Sequence, residues 1–344
     1  MNVLVTGIDG YLGALLVPQL IKDGHRVTGV DVGYYKERSL YHSVGDQPRT
    51  MVKDIRRLTT DDVSGNDAVI HMAELSNDPI GELSPQISYE INHRGSVRLA
   101  NIAKDAGVSR FIYMSSCSVY GISSGDLPLT EEAPTNPQTV YAECKTLCER
   151  DIRPLADTNF SPVFFRNATA FGASPRQRFD LVVNNLSGLA WTGNEIRMTS
   201  DGTPWRPLVH GLDIAKAICY ALAAPREAVH AEIFNIGSNS QNYRIREVAE
   251  IIAGCFQGCT TTFGNEGADN RSYRVSFDKL SKHLPGFRCD WDVAKGARQL
   301  QRLFSRIDLT RDDFMGRPYT RLKQLQYLIR TGQIDSDFFW NSAI

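Results

Sequence analysis

The chain contains 344 residues, of which 42% are hydrophobic and 22% are charged, a composition typical of globular proteins. Its 38 basic and 39 acidic side chains leave a formal net charge of −1, so no overall charge attracts nucleic acid or anionic lipid. The longest apolar run, residues 217–224, is far shorter than the roughly 20 residues of a membrane-spanning helix. We therefore expect neither a nucleic-acid partner nor a membrane partner.

The N-terminus and the cysteines indicate in which cellular compartment the protein is expected. Residues 2–6 already resemble a buried strand, and no charged and apolar leader precedes them, so we expect a cytoplasmic protein. The seven cysteines are an odd number. The pairs Cys144/Cys148 and Cys255/Cys259 have no second Cys or His pair at a metal-ligand spacing. We predict free thiols and no metal site.

Strand-like and helix-like segments alternate over the first half of the chain. Predicted strands cover residues 2–6, 26–31, 67–72, 110–115 and 161–166, and predicted helices cover residues 11–22, 83–106 and 141–157. This alternation predicts the α/β class, with a doubly wound parallel sheet of the Rossmann type. We expect residues 1–170 to form a dinucleotide-binding domain.

The alternation is less regular after residue 170. Predicted helices cover residues 179–191, 212–224, 245–255, 293–304 and 318–332, and loops that contain Gly and Pro separate them. Open α/β sheets bind their ligands at the carboxyl ends of the strands. We expect residues 171–344 to form mainly a smaller substrate-binding lobe over that edge, with some segments returning to the sheet.

A glycine-rich turn links the first strand to the first helix. It reads Gly7-Ile-Asp-Gly-Tyr-Leu-Gly13, and Asp31 ends the second strand 18 residues further on. Together they form a dinucleotide fingerprint, in which the backbone approaches the pyrophosphate at a helix N-terminus. The predicted cofactor-binding residues of this part are Gly7, Asp9, Gly10, Tyr11, Leu12, Gly13 and Asp31. Asp31 favours NAD, because its carboxylate would bind the ribose hydroxyls and repel a 2′-phosphate. The alternative cofactor is NADP, whose 2′-phosphate Lys36 and Arg38 could bind.

A second motif supplies candidate catalytic groups. Tyr141 and Lys145 are four residues apart at the start of a predicted helix and so share one face. A lysine cation and an oxidised nicotinamide would lower the pKa of a tyrosine, which is near 10 when unperturbed. Upstream, Ser115-Ser-Cys-Ser-Val-Tyr-Gly121 ends a predicted strand and supplies hydroxyl groups. We predict that Tyr141 acts as acid/base and that Lys145 also holds the cofactor ribose.

From residue 1 to about residue 280, the sequence resembles the extended short-chain dehydrogenase/reductase family. The group it resembles is that of the NAD-dependent nucleotide-sugar epimerases and dehydratases. The resemblance implies Ser116, Tyr141 and Lys145 as catalytic residues. It implies further cofactor contacts from Asp54, Ile55, Met72, Ala73 and Asn92. It also implies a homodimer, in which the predicted helices 83–106 and 141–157 pair with those of a second subunit.

The sequence also departs from that family. Dehydratases of the group have Asp-Glu after the catalytic Thr, whereas this chain has Cys117 and Ser118, so we predict no dehydratase activity. Thr169 replaces an Asn that contacts the nucleotide sugar in relatives. The predicted substrate-binding residues are Glu74, Ser116, Thr169, Arg206 and Arg271, the two arginines as contacts of the sugar-nucleotide diphosphate.

Three functions remain open at this point. The first is an epimerase that passes a hydride transiently to tightly bound NAD. The second is an NAD(P)-dependent reductase or dehydrogenase of a keto-deoxysugar or another carbonyl substrate. The third is a dinucleotide-sensing regulator without catalysis, which the intact Tyr141 and Lys145 disfavour. We interpret His71 and His210 as structural, and Asn77-Asp-Pro79 as a turn.

Overall fold

A parallel sheet of seven strands forms the centre of the protein, as the alternating pattern predicts. The computed structural model describes residues 1–42, 48–123, 127–265 and 271–341. Its strands are β1 (Asn2–Thr6), β2 (Arg26–Asp31), β3 (Arg49–Val52), β4 (Ala68–His71), β5 (Arg110–Ser116), β6 (Ser161–Asn167), β7 (Thr169–Phe171), β8 (Glu195–Met198), β9 (Trp205–His210), β10 (Ile233–Ile236), β11 (Asn242–Arg244) and β12 (Thr260–Phe263). The central order is β10-β6-β5-β4-β1-β2-β3, with all neighbours parallel. β11, β9 and β7 form a second sheet, and β12 pairs with β8.

Helices cover both faces of the central sheet. The α-helices of the described ranges are α1 (Gly13–Lys22), α2 (Thr60–Val63), α3 (Asp78–Leu83), α4 (Pro85–Ser88), α5 (Ser96–Asp105), α6 (Val140–Ile152), α7 (Val182–Gly193), α8 (Gly211–Ala223), α9 (Arg226–Val229), α10 (Ile245–Ala253), α11 (Asp278–His283), α12 (Val293–Ile307), α13 (Arg311–Met315) and α14 (Arg321–Arg330). Short 3₁₀ turns cover Ile55–Arg57, Cys117–Tyr120, Arg153–Leu155, Asn239–Gln241 and Arg317–Tyr319, and Tyr89–Gly95 is a π-helical segment. None of these helices is long and apolar enough to cross a lipid bilayer.

Successive residues of the central strands belong to two different hydrophobic clusters. In β1, Val3 and Val5 pack on the side of α1 and α8, whereas Leu4 packs on the side of α5 and α6. Side chains alternate along a strand, so a strand covered on both faces is apolar throughout. This explains why the central strands occur in the sequence as short continuous apolar runs.

The sheet has a topological switch point between β1 and β4. From β1 the chain continues outward to β2 and β3, whereas β4, β5 and β6 extend in the other direction. Connections that leave in opposite directions open a crevice at the carboxyl ends of the two central strands. The glycine-rich turn follows β1, and Met72 follows β4, so both predicted cofactor segments lie at this crevice.

Several predicted helix boundaries were wrong. The predicted helix 83–106 is preceded by α3, which begins at Asp78 because Asn77 Oδ1 accepts the Ile80 N–H at 3.0 Å and Pro79 suits a first turn. The predicted helix 179–191 begins only at Val182. The predicted helix 141–157 ends at Ile152, before Pro154. The edge strand β3 was not predicted, since four partly exposed residues give no clear period.

Residues of the C-terminal part of the chain belong to two different hydrophobic clusters. Leu300 and Phe304 of α12 pack with residues of α7 and α10 in a third hydrophobic cluster. Leu325 and Leu328 of α14, by contrast, belong to the cluster on the α5 and α6 face of the central sheet. The chain therefore returns, near its end, to the face of the central sheet that α5 and α6 cover.

Candidate active site

A cavity of about 710 Å³ opens at the carboxyl ends of the central strands. Most of the site residues predicted from the sequence line it: Gly7, Gly10, Tyr11, Leu12, Gly13, Asp31, Asp54, Ile55, Met72, Ala73, Glu74, Ser116, Tyr141, Lys145, Thr169, Arg206 and Arg271. Asp9 and Asn92 are not among the lining residues. One cavity thus holds both the cofactor motif and the Ser–Tyr–Lys motif.

The glycines of the turn are required by the close packing of the backbone. Gly7 has a φ of +73°, and a Cβ atom there would lie 2.9 Å from the Ala73 nitrogen. A Cβ atom on Gly13 would lie 2.3 Å from the Ile8 carbonyl oxygen. The backbone of the turn therefore lies directly against β4 and begins α1 at the cavity. A helix N-terminus in this place suits a diphosphate group.

The Asp31 carboxylate accepts two backbone N–H groups, one of which belongs to the same turn. It accepts the Asp9 N–H at 3.0 Å and the Gly33 N–H at 2.7 Å, and burial raises its pKa. The two cations considered as 2′-phosphate ligands pair with carboxylates of the chain, Lys36 with Asp9 at 2.9 Å and Arg38 with Asp313 at 3.1 Å. This arrangement fits the ribose hydroxyls of NAD better than the phosphate of NADP.

Asp54 and Asn92 help to shape the wall. The Asp54 carboxylate caps the 3₁₀ turn that contains Ile55 and pairs with both Nε and Nη2 of Arg56, at 3.0 and 2.8 Å. Asn92 is fully buried and bonds both backbone groups of Leu75, at 2.8 and 3.0 Å. Asn92 thus fixes the loop after β4 from behind.

The loop after β4 is also fixed by a chain of hydrogen bonds through His71. Met72 and Ala73 donate their N–H groups to Thr6 Oγ1, which lies 2.7 Å from His71 Nδ1. On its other side, His71 Nε2 lies 2.8 Å from Ser96 Oγ, whose hydroxyl donates to the Asn92 carbonyl. Burial lowers the pKa of His71 to about 3, so the ring is neutral and structural, as interpreted from the sequence.

Tyr141 and Lys145 occupy the first two turns of α6. Thr139 begins this helix by accepting the Ala142 N–H at 3.2 Å. The Lys145 ammonium lies 5.5 Å from the centre of the Tyr141 ring. It donates a hydrogen bond to the Met114 carbonyl and forms an ion pair with the Glu74 carboxylate. An ammonium group has three donors, so these two contacts leave one N–H for a ligand in the cavity.

Glu74 lies beside the catalytic pair rather than at the cavity rim. Its Oε1 accepts the Tyr113 hydroxyl at 2.6 Å, and only 4% of its side chain is exposed. Burial works to lower the pKa of Lys145, but the Glu74 carboxylate, together with Tyr141 and Cys148, raises it overall. For Tyr141, burial raises the pKa and the Lys145 ammonium acts in the opposite direction. A further positive charge nearby is therefore needed to make Tyr141 a base.

The serine-rich segment ends β5 at the cavity. Ser116 Oγ accepts the Ser118 N–H at 3.1 Å, and both serines line the cavity. Cys117 is buried, and its Sγ lies 3.1 Å from the Arg166 carbonyl oxygen. Burial raises the pKa of the Cys117 thiol far above its usual range. This thiol cannot act as a base or a strong acid.

Thr169 and two arginines line the part of the cavity formed by the second half of the chain. Arg206 donates to the Trp205 carbonyl at 2.9 Å and to the Arg271 carbonyl, and Arg271 forms an ion pair with Asp78. Asp78 also accepts the Thr139 hydroxyl at 2.6 Å. The segment interpreted as a turn, Asn77-Asp-Pro79, therefore lines the cavity at the start of α3.

Sequence reasoning missed a group on the cofactor side of the cavity. Arg178 pairs with Asp180 at 2.8 Å, and both line the cavity together with Tyr35 and Arg321. Arg321 could have been noticed, because it lies four residues before Leu325 and seven before Leu328, on the apolar face of its helix. Phe179, just before Asp180, packs on Phe304, Phe314 and Tyr319.

The chain is similar to several known proteins. The sequence profile of the NAD dependent epimerase/dehydratase family matches residues 3–237. UDP-glucose 4-epimerase of Lactobacillus helveticus is 27% identical over 274 residues, which are 74% of this chain and 82% of that protein. The structure of MoeE5 in complex with UDP-glucose and NAD superposes with a TM-score of 0.76 and 25% identity, over 89% of this chain and 99% of MoeE5. The dTDP-glucose 4,6-dehydratase DesIV of Streptomyces venezuelae, with NAD and TYD bound, has a TM-score of 0.74 and 24% identity, over 89% and 97% of the two chains.

The fold and the cavity define a dinucleotide-dependent enzyme of the extended short-chain dehydrogenase/reductase type. The chain belongs to the NAD dependent epimerase/dehydratase family, and NAD is its cofactor. The residues fit that group, since Cβ atoms on Gly7 and Gly13 would collide with backbone and the Asp31 carboxylate lies at the same turn.

Proposed function

We propose that the protein is a nucleotide-sugar epimerase. The observation that carries this proposal is that Ser116, Tyr141 and Lys145 line the same cavity as the glycine-rich turn and Asp31. A sugar hydroxyl and the cofactor can therefore meet at one tyrosine. The relatives that are UDP-glucose 4-epimerases support a UDP-hexose as substrate and its C4 as the reacting carbon.

Bound NAD supplies the hydride acceptor in such a reaction. Tyr141 removes the proton of the sugar hydroxyl and later returns it, as general base and then general acid. Lys145 holds positive charge next to the tyrosine and keeps one N–H for the cofactor ribose. Ser116, whose Oγ already accepts a backbone N–H, has its own hydroxyl hydrogen to donate to the reacting oxygen.

The two residues after Ser116 do not form an acid–base pair that could remove water from a sugar. Elimination needs an acid at the leaving hydroxyl and a base at the neighbouring carbon. The two positions after Ser116 are Cys117, whose buried thiol faces a carbonyl, and Ser118, a simple alcohol. These two residues therefore favour return of the hydride, which gives the starting sugar or its epimer, over loss of water.

The arginines at the substrate end support a sugar attached to a diphosphate. Arg206 and Arg271 are joined by a hydrogen bond from the first guanidinium to the second residue's carbonyl. Planar guanidinium groups bind phosphate oxygens in pairs. Thr169, at the start of β7, lines the same cavity and carries a hydroxyl group that can form hydrogen bonds. We propose that these three residues hold the substrate.

The proposed activity is tested with candidate nucleotide sugars and a catalytic amount of NAD. Thermal melting first identifies those that bind, because a ligand of the folded state raises the melting temperature. Chromatography and mass spectrometry then follow the product. We expect a stereoisomer of unchanged mass and many turnovers per NAD. Consumption of one cofactor per product would instead establish a reductase or dehydrogenase. Tyr220→Phe is the control, because it removes a tyrosine hydroxyl that donates to the Gly286 carbonyl, and it should leave the activity unchanged.

A further inference from the structure

The C-terminal segment, defined here as residues 317–341, covers the nucleotide end of the cavity. Gln324 donates to the Tyr34 carbonyl at 2.9 Å, and Trp340 donates to the Val32 carbonyl at 2.6 Å. Val32 and Tyr34 lie one and three residues after Asp31 in the sequence. Arg317 pairs with Glu37, with two N···O distances of 2.5 Å. The segment is therefore fixed to the loop that carries the ribose-binding aspartate.

This segment places a guanidinium group in the wall of the cavity. Arg321, the first residue of α14, lines the cavity, yet it is only 4% exposed. Its guanidinium carbon lies 4.0 Å from the centre of the Tyr35 ring. Burial and the nearby Arg178 lower the pKa of Arg321 to about 10, so the group stays charged at neutral pH.

Arg321 differs from the other buried arginines in its partners. Arg166 bonds to Glu149, Arg178 bonds to Asp180 and Ser76, and Arg110 bonds to three backbone carbonyls. For Arg321, the residues that the structure describes provide the face of Tyr35 and no hydrogen bond or ion pair. Burying a guanidinium without an anion is costly, and removing its charge partner is strongly destabilising. The position therefore suits an anion that binds in the cavity.

The charges around Arg321 indicate which anion this is. Arg178 and Arg321 carry two positive charges, and Asp180 compensates one of them. Asp31 also lies within electrostatic reach of Arg321, which places the guanidinium near the adenosine ribose. In a dinucleotide, the diphosphate is joined directly to that ribose. We propose that Arg321 binds the diphosphate of NAD and so completes, from the C-terminal segment, a cofactor site that the N-terminal fingerprint begins.

The proposal is tested by calorimetric titration of the full chain, freed of nucleotide, with NAD, ADP-ribose, ADP and adenosine. Arg321→Met keeps most of the apolar stem and removes the charge. We expect this variant to lower the affinities for NAD, ADP-ribose and ADP by about 10- to 100-fold, which is the range for hydrogen bonds to charged groups. Adenosine affinity should stay within a factor of about two. Arg321→Lys keeps the charge but not the planar guanidinium group. Its affinities for these three ligands should lie between those of the unmodified chain and those of Arg321→Met.

A structural role would give a different pattern. Arg330→Met, at the exposed end of the same helix, is the matched control and should leave all four affinities unchanged. Since an uncompensated cation destabilises the empty protein, Arg321→Met should melt without nucleotide at the same or a higher temperature than the unmodified chain. Equal weakening of adenosine and NAD, together with a lower melting temperature, would overturn the proposal. So would unchanged NAD affinity.

Two further ligands separate the possible sources of phosphate. UDP-glucose also carries a diphosphate, and NADP carries an additional 2′-phosphate. The proposal predicts that Arg321→Met leaves UDP-glucose affinity in the NAD-saturated protein unchanged and weakens NAD and NADP by the same factor. A loss confined to UDP-glucose would assign Arg321 to the substrate, and a loss confined to NADP would assign it to the 2′-phosphate. Either result contradicts the proposal, whatever reaction the enzyme catalyses.

Discussion

Lys145 and Glu74 form an ion pair inside the cavity wall, with only 5% and 4% of their side chains exposed. Lys145 lies next to Tyr141 on α6, and Glu74 follows β4, so the pair connects the catalytic helix to the central sheet. The lysine of the Tyr-x-x-x-Lys motif therefore has a fixed counter-charge before any ligand binds. This counter-charge limits how far Lys145 can lower the pKa of the tyrosine.

Glu74→Gln tests that relationship. The groups that act on Tyr141 are Lys145 and Arg178, which lower its pKa, and Glu74 and Asp78, which raise it. Removing the Glu74 charge should therefore lower the Tyr141 pKa and move the rising limb of kcat/KM against pH to lower pH. Denaturant unfolding should show a loss of roughly 3 kcal/mol, because a buried ammonium loses its partner.

Two variants control for this change. Glu74→Asp keeps the charge and should restore the pH limb towards its original position. Glu143→Gln, on the exposed side of α6, should leave the limb where it is. A shift of the limb to higher pH in Glu74→Gln would contradict the account, since it would mean that Lys145 depends on Glu74 to keep its proton.

Tyr141→Phe should remove the acid/base group and little else. The ring is retained, so the fold and NAD affinity should be unchanged, while turnover should fall by roughly 10²- to 10⁴-fold. NAD affinity is measured by calorimetry and turnover by chromatography of the nucleotide sugars. Near-normal turnover in this variant would remove the tyrosine from the mechanism.

Asp31→Ala should narrow the preference for NAD over NADP. The carboxylate would repel a 2′-phosphate, and it also accepts the N–H groups of Asp9 and Gly33, so NAD should bind more weakly to the variant as well. The affinities for both dinucleotides are measured in parallel. Tighter binding of NADP than NAD to the unmodified chain would refute the assignment and direct attention to Lys36 and Arg38.

Acid should destabilise the protein through two buried histidines. Burial lowers the pKa of His71 to about 3 and that of His210 to about 4, below the value near 6.5 in the unfolded chain. The unfolded state then binds more protons, so stability is full above pH 6.5 and falls as the pH drops towards 4. Each histidine should contribute a slope of about 1.4 kcal/mol per pH unit in this window.

The variant His71→Gln isolates one of these contributions. Glutamine can donate and accept hydrogen bonds but does not titrate, so urea unfolding between pH 6.5 and 4 should show a slope smaller by about 1.4 kcal/mol per pH unit. His25→Gln, at a histidine that is less buried than His71, is the control and should change the slope much less. An unchanged slope in His71→Gln would show that His71 is already protonated in the folded state.

The sequence predicted the cofactor motif well because its signals are local. Gly7 needs a positive φ, and Gly13 needs to lie against a carbonyl. Asp31 ends a strand, and its carboxylate accepts the N–H of Asp9 in the turn and the N–H of Gly33. Those requirements act within about 30 residues and leave recognisable residue types at fixed spacings. The central strands were predicted for a similar reason, since burial on both faces makes them continuously apolar.

Other parts of the site depend on tertiary contacts that no local pattern carries. Glu74 was predicted to bind the substrate, and only the tertiary fold brings the loop after β4 to Lys145 of α6. Arg321 comes from a helix more than 280 residues after Asp31 in the chain, so spacing could not connect them. Asp78 was assigned to a turn because Asn-Asp-Pro favours turns, although the same residues also begin helices.

The most direct test of the proposed function follows the hydrogen atom on the reacting carbon. UDP-glucose deuterated at C4 is incubated with the protein and catalytic NAD, and the recovered nucleotide sugars are separated and weighed by mass spectrometry. The account predicts a C4 epimer that keeps its deuterium and its mass, with no accumulation of NADH, because the hydride returns to the carbon it left. Loss of the deuterium from the sugar with one deuterated, reduced cofactor formed per product, or loss of a water molecule from the sugar, would contradict it.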